Sequence, residues 1–183
     1  IRDSSLNGAR SEEGKVLQPD QTRTFGRLTV RRFSLNHEKP HILYDFYARL
    51  HRAQVGADNR IRGGYIIDPG LNPRRVIQVP LSRSGISLTY EDVPLGGKLY
   101  GYGIIDYKNG KFDQGGPVRL TVFVDGREIG ETLIHNLDVN RPFQFELPGN
   151  DRGTVRFHIA ADGYFKRPFG FIADVRTTAG EVP

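Results

Sequence analysis

Apolar and polar side chains alternate along the second half of the chain, between Pro117 and Arg176. The apolar positions fall in three series, which are Val118, Leu120, Val122 and Val124, then Phe143, Phe145 and Leu147, then Val155, Phe157, Ile159 and Ala161. Successive side chains of a strand point to opposite faces, so each series predicts a strand with one buried face. Asp125-Gly126 follows the first series and predicts a tight hairpin turn, because both residue types tolerate positive φ angles.

The first half of the chain contains shorter runs of the same kind. Thr22 to Leu35 predicts one strand, whose phase slips at Arg31-Arg32 as it would at a β-bulge. His41 to Arg52 predicts a long strand whose inward residues are Ile42, Tyr44, Phe46, Ala48 and Leu50. Further short strands are predicted around Tyr65 to Ile67, Val76 to Leu81 and Ile86 to Tyr90.

Many short strands separated by turn residues, with almost no helical period, indicate an all-β fold. We expect an antiparallel β-sandwich, jelly-roll-like rather than immunoglobulin-like, whose core includes Leu120, Val122, Phe145, Phe157 and Ile159. Residues 1–21 are polar and predict an N-terminal arm. Residues 22–178 predict a single β-sandwich domain, and residues 179–183 a frayed C-terminus.

Four segments follow one another in the C-terminal half, and they are PLGGKLYGYGIID, PVRLTVFVDGREI, PFQFELPGNDRGTVRFHIAADG and GFIADVR. Their order resembles that of jelly-roll carbohydrate-binding modules of the galactose-binding-like group. The resemblance implies a fold that binds glycans, and it directs attention to a structural calcium ion near Asp174. Calcium takes about six to eight oxygen ligands. Only Asp162 and Asp174 stand out near the last strand, so we expect no tight metal site.

Composition narrows the function classes further. The formal net charge is +5, but basic residues are interspersed with acidic ones, which predicts a mixed solvated surface and no nucleic-acid partner. Cysteine is absent, which excludes disulfides, zinc–thiolate sites and a cysteine nucleophile. We expect no transmembrane segment, because no apolar run is long enough to span a bilayer. The first residue is Ile1 rather than Met, so we expect a trimmed or processed form, which leaves room for a removed signal or a lipid anchor.

A tyrosine-rich strand interrupted by glycines is the first candidate ligand site. Its candidate binding residues are Tyr100, Tyr102, Asp106, Tyr107 and Lys108. Tyrosine rings can stack on the C–H faces of sugars, while carboxylates and amines bind hydroxyl groups. Gly101 and Gly103 would leave the rings accessible by removing side-chain cover from the strand. The alternative is that the glycines only permit a bend and the tyrosines cap the edge of the core.

The loop after the Val155 to Ala161 run is the second candidate. Its candidate binding residues are Tyr164, Phe165, Lys166 and Arg167. Exposed aromatic rings beside two cations are typical of interface anchors. A loop folded over the end of the sandwich is the alternative interpretation.

Catalytic and metal-binding patterns are weak. His37 and His41 flank Glu38, but Pro40 prevents the helical spacing that a zinc-binding HExxH motif needs. Ser82, Ser84 and Ser87 lack a nucleophile elbow. No glycine-rich phosphate loop leads from a strand into a helix. The sequence therefore predicts no enzyme, no metal and no cofactor.

Two functions remain open at this point. The first is a non-catalytic module that recognises a glycan or another component of the cell envelope. The alternative is a structural or assembly protein that docks on protein partners, or forms an oligomer, through the sandwich surface and the N-terminal arm. Either function suits an extracellular or periplasmic location, with a lipid anchor in a longer form.

Overall fold

The computed structural model describes residues 21–32, 40–56, 60–106, 115–149, 151–163 and 165–177. Within these ranges the regular structure is thirteen strands and one turn of 3-10 helix, Leu50–Arg52. The strands are β1 Gln21–Phe25, β2 Leu28–Arg32, β3 Ile42–Asp45, β4 Gln54–Val55, β5 Arg62–Ile67, β6 Pro73–Val79, β7 Ile86–Pro94, β8 Lys98–Ile105, β9 Val118–Val124, β10 Arg127–Ile134, β11 Arg141–Glu146, β12 Arg152–Ala161 and β13 Phe169–Arg176. No helix in the described ranges is long and apolar enough to cross a membrane.

The chain divides into two compact units, Ile1–Lys39 and Pro40–Pro183. In the first unit, β1 and β2 form a two-stranded antiparallel hairpin. The single strand predicted from Thr22 to Leu35 is therefore wrong, because the chain reverses at Gly26, whose φ of 60° suits a tight turn. Residues 33–35 of that prediction lie outside the described ranges. The predicted limits of the arm and of the sandwich domain stay predictions.

The second unit is an antiparallel β-sandwich of jelly-roll type, which confirms the predicted fold class. One sheet has five strands in the order β10-β9-β12-β7-β4. The other has six strands. Five follow the order β11-β8-β13-β6-β5, and the sixth, β3, pairs with the second half of β13. Both sheets bury one face against the other, which is the arrangement that alternating strands require.

Aromatic rings join the two sheets at the centre of the core. Phe157 of β12 lies 5.0 Å from Phe171 of β13, measured between ring centroids, and 4.9 Å from Phe46. Tyr90 of β7 packs edge-on against Phe46 and donates its hydroxyl to the Phe46 carbonyl oxygen. Leu120, Val122, Phe157 and Ile159 are fully buried as predicted. Phe145 is only half-buried at the edge of this core, so its predicted inward position is only partly right.

Asp125 and Gly126 form the predicted turn between β9 and β10. Both residues have positive φ angles, 47° and 80°. The Asp125 carboxylate also accepts a hydrogen bond from the Thr154 amide. This confirms the hairpin that the Asp-Gly pair predicts.

The long strand predicted from His41 to Arg52 is wrong after Asp45. The Asp45 carboxylate accepts a hydrogen bond from the Ala48 amide, and the Asp45 carbonyl accepts one from the Arg49 amide. These bonds close a turn that leads into the 3-10 helix. An aspartate side chain can bind nearby backbone amides that would otherwise pair with a neighbouring strand. A prediction from apolar alternation alone therefore makes the strand too long.

Candidate functional site

The outer face of the six-stranded sheet carries a groove of about 540 Å³. We call it the tyrosine groove, and the residues that line it are Tyr100, Gly101, Tyr102, Pro142, Phe143, Gln144, Ile172, Asp174 and Arg176. They come from three neighbouring strands, β8, β11 and β13. Two of the predicted site residues, Tyr100 and Tyr102, are therefore brought together in one concave surface.

Strand register determines which side chains meet in the groove. Tyr100 lies opposite Gln144 on one side and opposite Asp174 on the other. Directly paired residues point to the same face of a sheet, so an aromatic ring, an amide and a carboxylate form one row. In the next row, Tyr102 lies between Pro142 and Ile172. The groove thus has a polar row and an apolar row side by side.

The glycines of β8 leave space for neighbouring side chains and backbone on the inner side of the sheet. A Cβ atom on Gly101 would overlap the ring of Phe143 and the carbonyl oxygen of Ile172. A Cβ on Gly103 would lie 2.7 Å from Ile134 Cγ1. Both glycines therefore make room for neighbouring residues, so the expectation that they uncover the tyrosine rings is wrong. The rings face the outside because their positions have the opposite parity to that of the buried Leu99 and Ile105.

Tyr102 is the more structural of the two tyrosines. Its ring packs on a small apolar cluster, and its hydroxyl donates to the Arg75 carbonyl oxygen at 3.4 Å. The cluster consists of Ile66, Val76 and Ile104. Burial raises the pKa of Tyr102 above its ordinary value, with a smaller opposing effect from Arg74. Tyr102 therefore contributes one ring face to the groove while its other atoms support the sheet.

An ion pair forms the end of the groove. The Arg176 guanidinium binds both carboxylate oxygens of Asp174, with Nη2 and Oδ2 2.8 Å apart. The same guanidinium lies over the Tyr100 ring, 5.1 Å from its centroid. The hydrogen bond to Asp174 raises the pKa of Arg176 above its ordinary value, so the charge persists at any relevant pH. Alternation along β13 indicates that Asp174 and Arg176 point to the outer face of the sheet. Their proximity to Tyr100 depends on the pairing of β13 with β8, which the sequence pattern does not give.

The other predicted residues of the first site do not join the groove. Asp106 is 8% exposed, and it accepts a hydrogen bond from the Ile67 amide. It lies four positions beyond Tyr102, about 13 Å along the strand direction. The structure therefore does not bring Asp106 together with the two tyrosines. Tyr107 and Lys108 lie outside the described residues.

The predicted loop site falls in a second groove, of about 500 Å³. Phe165 and Lys166 line this groove and are exposed. Arg167 is only 2% exposed, so the expectation of an exposed cation there is wrong. Its guanidinium donates to Asn136 Oδ1 at 2.6 Å and to the Gly116 carbonyl oxygen at 2.8 Å, which holds the loop closed. Tyr164 lies outside the described residues.

Outside the two grooves, the described residues offer a side-chain pair with catalytic residue types, Ser87 and His158. Within the ranges that the structure describes, no three His, Asp or Glu side chains are grouped as metal ligands would be. Ser87 Oγ and His158 Nδ1 are 3.0 Å apart on the outer face of the five-stranded sheet. Burial and the nearby Arg156 lower the pKa of His158, which favours the neutral ring.

Solved structures of carbohydrate-binding modules have a similar fold. The CBM51-2 and INT domains of Clostridium perfringens ZmpB, in complex with GlcNAc, match with a TM-score of 0.49 and 12% identity, over 78% of this chain and 30% of that one. The CBM36-1 domain of a multidomain xylanase from the hindgut metagenome of Trinervitermes trinervoides matches with a TM-score of 0.45 and 14% identity, over 78% of this chain and 100% of that one. CBM51 of Clostridium perfringens GH95, in complex with methyl-galactose, matches with a TM-score of 0.41 and 11% identity, over 77% of this chain and 95% of that one.

The resemblance is one of fold. The matched modules are galactose-binding-like jelly rolls, the class that the C-terminal half of the sequence resembles. The chain spans about a third of the length of two of the ZmpB structures, 30% and 36%. No protein-family model matches the sequence, and no curated protein is significantly similar to it. At these identities the similarity assigns no ligand to this chain.

Proposed function

We propose that this chain is a non-catalytic module that binds an uncharged glycan in the tyrosine groove. The observation that carries the proposal is the row formed by Tyr100, Gln144 and Asp174 across three hydrogen-bonded strands. A sugar ring has an apolar C–H face and a rim of hydroxyl groups. The Tyr100 ring can stack on the C–H face of the sugar. The Gln144 amide and the Asp174 carboxylate can form hydrogen bonds with its hydroxyl groups.

The charges in the groove favour a neutral ligand. Asp174 and Arg176 are the charged residues among its described lining, and they neutralise each other as an ion pair. A carboxylate accepts and a guanidinium donates several hydrogen bonds, so both groups can also bind hydroxyls outside their own pair. The groove therefore offers directional hydrogen bonds with little net attraction for an ion.

Rigidity also supports the proposal. The groove residues stand on strands whose backbones are paired on both sides of β8. Arg176 further restrains the Tyr100 ring and the Asp174 carboxylate. Side chains that are already ordered lose little conformational entropy on binding, so more of the contact energy appears as affinity.

The test is calorimetric titration with neutral oligosaccharides: chitotriose, xylotriose, cellotetraose and methyl-galactoside. At least one should bind, and Tyr100→Ala should weaken its binding about fivefold or more, as expected for a lost ring contact. Tyr65→Ala is the matched control, since Tyr65 is 68% exposed and lies outside the groove. Failure of all four sugars to bind, or equal effects of the two substitutions, would contradict the proposal.

We place the module at the cell envelope, extracellular or periplasmic, because the glycans that a non-catalytic module would recognise are found there. A lipid anchor in a longer form of the protein belongs to the same proposal. Fractionation of cells that produce the full-length protein, with and without release by osmotic shock, tests it. Recovery only with the cytoplasmic fraction would contradict this placement.

One observation favours protein docking as a second function. Phe25, Leu28 and Val30 share one face of the β1–β2 hairpin and are 62%, 63% and 49% exposed. A two-stranded hairpin is marginally stable by itself, so such a face gains from packing on another β surface. A second copy of this chain supplies one. Sedimentation velocity should detect concentration-dependent dimers that Phe25→Ser with Leu28→Ser abolishes, and a strictly monomeric chain would exclude this function.

A further inference from the structure

The second groove lies at the opposite end of β13 from the tyrosine groove. It has a volume of about 500 Å³, within the range of small-ligand sites. We call it the basic groove, and the residues that line it are Arg60, Arg62, Gln78, Val79, Pro80, Phe165, Lys166, Arg167, Pro168 and Phe169. They come from β5 and β6 with residues flanking these strands, from the start of β13 and from the loop before it.

The charge of the basic groove is one-sided. Arg62 and Lys166 are exposed cations in this lining, and none of the described lining residues carries a carboxylate. The Nε of Arg62 donates to Gln78 Oε1 at 3.1 Å, which orients the guanidinium without neutralising it. Cations that converge on one concavity attract an anionic group and bind it through charge-assisted hydrogen bonds.

Apolar surface accompanies these charges. Phe165 is 39% exposed beside Lys166, and Pro80 and Pro168 line the same concavity. A bare inorganic anion would use none of this surface. A ligand with both an anionic substituent and an apolar ring face would use all of it.

We propose that the basic groove is a second ligand site, which takes a saccharide unit carrying a carboxylate or a sulfate. Arg62 and Lys166 bind the anionic group, and the Phe165 ring packs against the C–H face of the sugar. This site differs from the tyrosine groove in ligand chemistry, because the ion pair there leaves no net charge to attract an anion.

The two grooves can be tested independently. Phe169 of the basic groove and Asp174 of the tyrosine groove are five residues apart on β13, roughly 16 Å along the strand. A substitution in one groove therefore leaves the side chains of the other in place. If no neutral sugar binds, only the proposal for the tyrosine groove is refuted. If no anionic sugar binds, only the proposal for the basic groove is refuted.

The experiment is calorimetric titration of the whole chain with five probes. They are trigalacturonate, a sulfated heparin tetrasaccharide, the methyl ester of trigalacturonate, inorganic sulfate and a single-stranded RNA. Arg62→Gln with Lys166→Gln removes two charges from the groove, and Arg23→Gln with Arg127→Gln removes two exposed charges elsewhere as a matched control. Phe165→Ala tests the ring contact, and thermal melting verifies that every variant is folded.

At least one of the two anionic saccharides should bind, and the methyl ester should bind at least about tenfold more weakly than trigalacturonate. Arg62→Gln with Lys166→Gln should weaken binding of the anionic saccharide by at least about tenfold, and Phe165→Ala should weaken it severalfold. The control double variant and Tyr100→Ala should leave this binding unchanged. Binding should also fall as salt rises.

Three results would overturn the proposal. The first is absence of binding to both anionic saccharides, or equal binding of trigalacturonate and its methyl ester. The second is binding of inorganic sulfate as tightly as of the saccharides, with no effect of Phe165→Ala, which would indicate a simple anion site. The third is tighter binding of a single-stranded RNA probe through Arg62 and Lys166, which would make the groove a nucleic-acid surface.

Discussion

Arg176 of β13 holds Tyr100 of β8 in place, because its guanidinium lies 5.1 Å from the centroid of the Tyr100 ring. The guanidinium is itself fixed by two hydrogen bonds to Asp174, the residue directly opposite Tyr100 in the sheet. A cation over a ring face is worth about 0.5–1 kcal/mol at an exposed site. Three side chains from two strands thus restrain one another, and together they form one wall of the tyrosine groove.

The two tyrosines of β8 should respond differently to truncation. Tyr102→Ala removes packing on the Ile66, Val76 and Ile104 cluster and should lower the free energy of unfolding by about 1–2 kcal/mol. Tyr100→Ala removes a half-buried ring outside that cluster and should cost less than about 1 kcal/mol. Urea denaturation of both variants measures the difference. Equal losses would mean that both rings are structural.

Gly101→Ala should destabilise the fold although alanine is small. The new methyl group would overlap the Phe143 ring and the Ile172 carbonyl oxygen, and a backbone atom in a paired strand cannot move away cheaply. We expect a loss of about 1–3 kcal/mol. Gly56→Ala is the matched control, because a Cβ there meets no atom within 4 Å. A harmless Gly101→Ala would contradict the packing described for β8.

Phe157→Ala tests the centre of the sandwich. The ring is fully buried and contacts Phe46 and Phe171 at centroid distances of 4.9 Å and 5.0 Å. Its removal should cost about 3–5 kcal/mol through lost transfer energy and the cavity left behind. Chemical denaturation provides the measurement, and a loss below about 1 kcal/mol would mean that the sheets are packed differently.

His158 should make stability depend on pH. Burial, and secondarily Arg156, lower its pKa in the folded state from the ordinary 6.5, so the unfolded chain takes up the proton at a higher pH. The stabilising effect of the neutral ring is therefore complete above pH 6.5 and is lost as pH falls toward the folded-state pKa. The decline in unfolding free energy on acidification should be smaller in His158→Gln. An equal decline in the wild type and in His158→Gln would contradict this role of His158.

Much of the sandwich could be predicted from local sequence because alternation and turn chemistry act over a few residues. The β9–β10 hairpin depends on the Val118 to Val124 alternation and on Asp125-Gly126, and both features are visible in the sequence. The segment after Asp45 could not be predicted in this way. There a side-chain hydrogen bond to Ala48 ends the strand although apolar residues continue to alternate.

The candidate site was less predictable because it depends on which strands become neighbours. Tyr100 and Tyr102 could be selected as rings on a glycine-broken strand, but the same reasoning included Asp106, which the fold holds away from them. Gln144 and Asp174 meet Tyr100 only through the pairing of β8 with β11 and β13. The residues in contact are tens of positions apart in the sequence, so no local pattern indicates that they meet.

The most direct test of the tyrosine groove is to observe where a sugar binds. Amide chemical-shift changes in a ¹⁵N-labelled sample, titrated with the tightest neutral oligosaccharide, report the location without any substitution. We predict the largest changes at Gly101, Gln144 and Asp174. Changes confined to residues outside β8, β11 and β13, with these three amides unmoved at saturation, would contradict this prediction.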